Sequence, residues 1–169
     1  MSKQFSGLFI LLIITTLTGC RIKYSFTGAS IDPNSKTFSV KEFPNNARLI
    51  NPALSQSFSE ALKDALLSKT SLALVNGDAD LNFEGNITGY TIVTQAIKGD
   101  ETAAYNRFTI QIKVKFKNKQ KKEYDFENVF SAYRDFPANS EFTSIEDALM
   151  ADIIKDLTQD IFQKSVVNW

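Results

Sequence analysis

One thiol and one run of ammonium groups are the side chains of this sequence that stand out for chemistry. Cys20 is the sole cysteine among 169 residues, and it follows Leu17-Thr18-Gly19 behind the apolar run Leu8-Phe9-Ile10-Leu11-Leu12-Ile13-Ile14. Small side chains before a thiol let a peptidase grip an extended backbone and leave the sulfur open to a diacylglyceryl group. Lysines crowd from Lys113 to Lys122: Lys113, Lys115 and Lys117 fall on one side of a strand pattern, with Arg107 on the same side, and Lys119, Lys121 and Lys122 fall at a turn. An ammonium is a point-charge partner for phosphate, so such a cluster is a candidate phosphate site. The chain has no histidine, so the commonest general base and metal ligand is missing. With Cys20 acylated there is neither a thiol nucleophile nor a cysteine zinc site. No paired-carboxylate motif and no Gly-rich loop opening a helix occurs, and no particular Ser–Lys pair is singled out. These absences predict a non-enzymatic protein with no cofactor and no metal.

The N-terminus sets the compartment. Lys3 is the only charge before Arg21, and a positive start, a short apolar run and small residues near the cut describe a secretory signal peptide. The run falls far short of the roughly 20 apolar residues of a membrane-spanning helix. Leu17-Thr18-Gly19-Cys20 resembles the bacterial lipobox, whose cysteine becomes the lipidated first residue of the mature chain. Acyl chains contribute about 0.8 kcal/mol per buried CH₂, and more than one chain makes anchoring stable. The expected division is therefore a signal peptide over 1–19, a lipidated tether and first segment over 20–36, and a single domain over 37–169. Arg21 stands where enterobacterial inner-membrane lipoproteins carry a retaining aspartate, which predicts the outer membrane. Loss of Lys3 leaves 18 basic and 19 acidic residues, a balance that points to no nucleic-acid partner. A domain of this size, without disulfides, can bury roughly 68–70% of its unfolded surface and must rely on its core.

The elements that position these groups are legible in the hydrophobic periodicity. Thr37 to Phe43 alternates as a short strand before Pro44-Asn45-Asn46. Asn51-Pro52 predicts a helix start, asparagine as cap and proline at the first helical position. Leu54, Phe58, Ala61, Leu62, Ala65 and Leu66 then give the helix one apolar stripe as far as Lys69. Leu72–Val75 reads as a short buried strand. Three long strands follow. In the first, Leu81, Phe83, Ile87 and Val93 are set on one face against Asn82, Glu84, Asn86 and Thr88. In the second, Phe108, Ile110, Ile112, Val114 and Phe116 alternate with polar residues. The third joins Tyr124, Phe126 and Phe130. Reversals at Lys98-Gly99-Asp100 and Asn118–Lys121 predict an antiparallel meander. Ser144 then reads as the cap of a second helix whose stripe is Leu149, Met150, Ile153, Ile154, Leu157 and Ile161. The fold class expected is α+β, with two helices packed on one face of a mostly antiparallel sheet of about four strands.

The sheet's other face is then polar, and the lysines on it have two readings. They form a phosphate-binding patch, or they are ion-paired across strands. A symmetric tip sets Lys115 opposite Asp125 and Lys113 opposite Glu127, with Phe116 facing Tyr124 and Val114 facing Phe126. Lys117, Lys119, Lys121 and Lys122 have no acids opposite them in that register and are the candidate phosphate contacts; Arg107, Lys113 and Lys115 form a second set. Tyr90, Ile92 and Tyr133 fall on the same polar face, either for a partner or as ordinary packing.

Several segments resemble the Bacteroidetes type of LptE lipopolysaccharide-assembly lipoproteins. These are Tyr24-Ser25-Phe26-Thr27-Gly28-Ala29-Ser30-Ile31, Phe43-Pro44-Asn45-Asn46-Ala47 through Asn51-Pro52-Ala53-Leu54-Ser55 to Glu60-Ala61-Leu62, and Gly77-Asp78 followed by Leu81, Glu84-Gly85, Ile87 and Tyr90. Arg21 replaces the family's usual small residue after the cysteine. The resemblance implies a two-helix, four-stranded domain lipid-anchored to the outer membrane. It also implies a plug seated in an LptD-like β-barrel, and contact with lipopolysaccharide through basic residues. Two other classes stay open: a lipoprotein subunit of a different envelope or secretion assembly, and a carrier holding a small apolar ligand between helices and sheet. The carrier requires a cavity of about 300 Å³ or more.

Overall fold

The computed structural model describes residues 31–49, 51–95 and 104–167. The first strand, β1 (Thr37–Val40), leads into α1 (Pro52–Lys69), which starts where the Asn-Pro pair predicts. Asn51 Oδ1 accepts from the Ala53 N–H at 2.9 Å, satisfying one of the donors a helix start leaves open. The helix closes at Thr70, whose N–H donates to the Leu66 carbonyl. A two-residue strand β2 (Ala73–Leu74) follows, then β3 (Leu81–Gln95), β4 (Tyr105–Asn118), a 3₁₀ turn (Lys122–Tyr124), β5 (Phe126–Pro137) and α2 (Phe142–Phe162). The chain ends its described course in a π turn over Gln163–Val167.

Among the described residues the sheet has five strands in the order β2-β1-β3-β4-β5 and is mixed, not four-stranded and mostly antiparallel as expected. β1 runs parallel to both β2 and β3, with Phe38 aligned to Leu74 on one side and Leu81 on the other. The reason is the crossover: a helix between two strands of one sheet returns the chain in the same direction. Only β3, β4 and β5 form the predicted antiparallel meander. β2 is exposed, not buried, because it is the sheet's edge.

Two further expectations are corrected by local geometry. A register shift between Ile87 and Gly89 inserts one residue into β3 and reverses its alternation beyond that point. Tyr90 therefore turns inward to 5% exposure, packing edge-on against Phe108, and Val93 turns outward to 56%. The second helix starts at Phe142 with Glu141 in the cap position; Ser144 Oγ, read as the cap, instead donates to the Glu141 carbonyl at 2.7 Å.

Both helices lie on one face of the sheet. The layer between them is filled by Phe38, Phe43, Leu54, Phe58, Leu62, Leu66, Phe83, Ile110, Ile112, Ile153 and Leu157, all fully buried. Phe43 and Phe58 meet edge-to-face with ring centroids 5.0 Å apart. Their packing needs Gly85: a Cβ there would lie 2.0 Å from the Lys113 carbonyl oxygen and 2.7 Å from the Phe43 ring.

Candidate functional site

The face of the sheet away from the helices carries the charged residues. Alternation along β4 points Arg107, Lys113, Lys115 and Lys117 outward, while Phe108, Ile110, Ile112, Val114 and Phe116 fill the core. In β3, Glu84 pairs directly with Lys115 across the ladder. Three ammonium groups converge on that one carboxylate: Lys41 at 2.7 Å, Lys115 at 3.6 Å and Lys117 at 4.0 Å. Lys113 holds Glu127 at 2.5 Å. The hydrogen bond from Lys41 keeps the Glu84 carboxyl below its ordinary range, and the one from Lys113 does the same for Glu127.

The β4–β5 register differs by two residues from the symmetric tip. Lys115 faces Glu127, Lys113 faces Val129, Phe116 faces Phe126 and Val114 faces Asn128. The tip is asymmetric because Asn118 Oδ1 accepts from the Gln120 and Lys121 N–H groups, and the 3₁₀ turn takes up the next three residues. Asp125, expected opposite Lys115, accepts from the Asn118 N–H at 2.7 Å. Lys113 still reaches Glu127, diagonally.

Nor do the tip lysines lack acids. Lys119 pairs with Asp78 at 2.8 Å and Lys121 with Asp32 at 3.8 Å. Asp78 comes from the turn before β3, and Asp32 from the segment before β1. Lys122 forms no ion pair among the described residues. Sequence reasoning missed Glu84, Lys41, Asp78 and Asp32 as partners. Glu84 was visible as an outward residue; what was missing was the parallel β1–β3 pairing that brings Lys41 beside it. Asp80 stitches the same corner together, accepting from the Lys36 N–H at 2.9 Å and from Thr37 N–H and Oγ1 at 3.0 and 2.8 Å. Those bonds, the one from Lys36 foremost, hold its carboxyl below the usual range.

The opposite end of this face is amphipathic. Arg107 donates twice to Asp135, at 2.8 Å each, and lies 3.8 Å over the Tyr133 ring. Tyr133 faces outward as expected, with Val93 and Tyr105 exposed nearby, while Val129, also exposed, lies opposite Lys113. Ile92 pairs with Phe108 on the core side of the ladder while keeping partial exposure.

A groove of about 760 Å³ runs between the two helices, lined by Ala53, Ser57, Ala61, Met150, Ala151 and Ile154 among others. It lies within the helix layer; the space between helices and sheet, where a carrier would hold its ligand, is the filled core. Among the described residues no helix is long and apolar enough to cross a membrane, and no cluster of three or more His, Cys, Asp or Glu could hold a metal ion. Cys20, Leu17, Thr18, Gly19 and the Lys98-Gly99-Asp100 reversal lie outside the described residues.

Comparison with known proteins bears on this geometry. A minor lipoprotein from Acinetobacter baumannii superposes with a TM-score of 0.51 at 17% identity, over 77% of this chain and 91% of that one. A hypothetical protein from Chlamydia trachomatis superposes with a TM-score of 0.55 at 11% identity, over 79% and 98%. At such identities these structures share the fold. No curated protein sequence matches. The family model for LptE, lipopolysaccharide-assembly, matches residues 35–165, from the approach to β1 to the π turn after α2. This chain belongs to the LptE lipopolysaccharide-assembly family.

Proposed function

We propose that this chain is a lipid-anchored outer-membrane lipoprotein that seats as plug and assembly partner in an LptD-like β-barrel, supporting lipopolysaccharide delivery to the cell surface. The observation that carries the reading is the family match, which spans nearly the whole folded domain. The architecture is compatible with it. One sheet face is covered by helices, and the other offers ion-paired lysines at one end and exposed Val93, Tyr105 and Tyr133 at the other. The test is purification of the tagged chain from solubilised outer membranes, together with its depletion. A large barrel co-eluting in one-to-one ratio, and lipopolysaccharide stalled before the surface on depletion, is the expected result. Normal surface lipopolysaccharide and normal barrel levels after depletion would remove the assignment.

Within this reading the β4–β5 tip is the proposed lipopolysaccharide contact, through Lys117, Lys119, Lys121 and Lys122. A lipid A phosphate would exchange for the carboxylate at Lys119 and Lys121, whereas Lys122 has none to give up among the described residues. Binding at such exposed groups is screened beyond about 8 Å at physiological ionic strength, so it should weaken steeply with salt. Lys122→Glu should therefore weaken lipopolysaccharide binding more than Lys119→Glu, and Arg107 and Lys113, held by carboxylates at 2.8 and 2.5 Å, should matter less than Lys122. Equal binding by all variants would move the contact elsewhere.

A further inference from the structure

We infer that the edge of β5, which pairs with no other strand among the described residues, is an acceptor for an extended strand of a partner chain, with a lysine or arginine at the position facing α2. The two edges of the sheet are managed differently. β2, at one edge, is two residues long, whereas β5, at the other, runs twelve residues in unbroken register with β4. Edge strands are ordinarily blunted by shortness, bulges, charged side chains or proline. β5 has no bulge, its proline is its last residue, and its charged side chains Glu127, Arg134 and Asp135 are each neutralised in an ion pair.

The ladder fixes which backbone groups are open. Thr88 Oγ1 donates to the Gln111 carbonyl, so odd residues of β4 point their backbone groups at β3 and even ones at β5. The even residues of β5 are thus taken, and Val129, Ser131 and Tyr133 turn N–H and C=O to the free edge. The Tyr133 carbonyl accepts from Arg134 at 2.9 Å, the edge's one side-chain donor among the described residues.

Side chains around this edge define the strand it would accept. On the outer face an incoming strand meets Val129, 57% exposed, Ser131, and Tyr133, 48% exposed. The flanking acids Glu127 and Asp135 are already neutralised by Lys113 and Arg107, so this side favours apolar residues. On the inner side a notch of about 520 Å³ opens between β5 and α2, lined by Ala132, Arg134, Asp156, Gln159 and Asp160. Arg134 is occupied by Asp156 at 2.7 Å, and Asp160 has no ion-pair partner among the described residues. The notch thus holds one unmatched negative charge, and an incoming residue opposite Ala132 would point into it. Main-chain bonds supply affinity and alternating side chains the specificity in this mode of binding.

The test uses the purified full chain in detergent and a synthetic extended peptide with alternating valines and a central lysine, titrated by NMR. Binding at or below about 1 mM is expected, with amide exchange slowed at Val129, Ser131 and Tyr133. N-methylation of the peptide amides that face β5 should abolish it, and methylation of the opposite amides should not. Asp160→Lys should weaken the lysine peptide about tenfold and favour a glutamate peptide. Ser131→Pro removes an outward N–H and leaves the β4 ladder intact, so a folded variant should lose binding as well. No binding at millimolar peptide, or binding indifferent to N-methylation, overturns the inference. A homodimer that Ser131→Pro dissociates would overturn it too, assigning the edge to a second copy.

Discussion

Glu84 shows how a single residue organises the outer face. Its carboxylate takes one hydrogen bond from Lys41 and lies within 4.0 Å of Lys117, and its pKa is lowered with the Lys41 hydrogen bond as first cause. A carboxylate depressed in the folded state stabilises above its unfolded pKa, and that contribution is lost as pH falls through the folded value. Asp80, Glu127 and Asp135 are shifted in the same direction, by backbone N–H groups, Lys113 and Arg107 respectively. Acid should therefore destabilise the domain progressively once pH drops below the ordinary carboxylate values of 4.5 for Glu and 3.8 for Asp. Glu84→Gln should melt lower than the parent at pH 7, and the two should converge in strongly acidic buffer. A constant gap between their melting temperatures across that range would contradict the linkage.

A second residue-level prediction concerns the half-buried corner where three elements meet. Glu146 on α2 accepts from the Tyr90 hydroxyl on β3 and from Asn51 Nδ2 at 2.5 Å, while Asn51 Oδ1 caps α1. Burial, seconded by Glu146, holds the Tyr90 phenol far above its usual range, so it remains a donor through alkaline pH. Tyr90→Phe deletes one bond to a carboxylate and should cost roughly 1.5 kcal/mol. Asn51→Ala removes the cap and the bridge together and should cost more, on the order of 2 kcal/mol. Urea unfolding of the two variants measures both, and a larger loss for Tyr90→Phe would reverse the assignment of roles.

At the scale of elements, sequence legibility followed the length of the periodic signal. The alternation of Phe108 to Phe116 and the Asn51-Pro52 start with its stripe identified β4 and α1 outright. β2 was misread as buried because two residues carry no period. The direction of β1 is set by the crossover and not by its own residues, so the mixed sheet was hidden. The inserted residue near Thr88 flipped every later side chain of β3, which is why Tyr90 and Val93 exchanged faces. The lysines of the candidate site were legible and their partners were not, since Asp32, Asp78 and Glu84 arrive through tertiary pairing. Gly85 tests the β3–β4 packing. A methyl group there meets backbone at 2.0 Å, so Gly85→Ala forces the strands or Phe43 apart. Overpacking of this kind costs typically about 1–3 kcal/mol, and a clash with backbone belongs at or above that range. Chemical denaturation should show it, and a near-neutral change would mean that β3 separates from β4 without penalty.

For the whole molecule, the balance of charge bears on the proposed attachment to a membrane. Stable anchoring takes two signals, such as two acyl chains, or one chain with a polybasic patch. The lysine-rich face looks like such a patch in sequence, but in the fold Glu84, Glu127, Asp78 and Asp32 offset Lys41, Lys113, Lys115, Lys117, Lys119 and Lys121. With Lys122 that makes seven lysines against four acids, a modest positive excess, and the whole chain carries 19 basic and 19 acidic residues. Electrostatics therefore offers no strong second signal, and attachment should rest on acylation of Cys20. The mature wild-type protein should show an acylated N-terminal cysteine and no residues 1–19 by mass spectrometry. Cys20→Ser should leave the folded domain intact by circular dichroism yet move most of it from the membrane to the soluble fraction. On the proposed lipid attachment, high salt should release little of the wild type. A Cys20→Ser variant that stays with the membrane until salt is raised would show that the lysine face, with its carboxylates displaced, is the anchor after all.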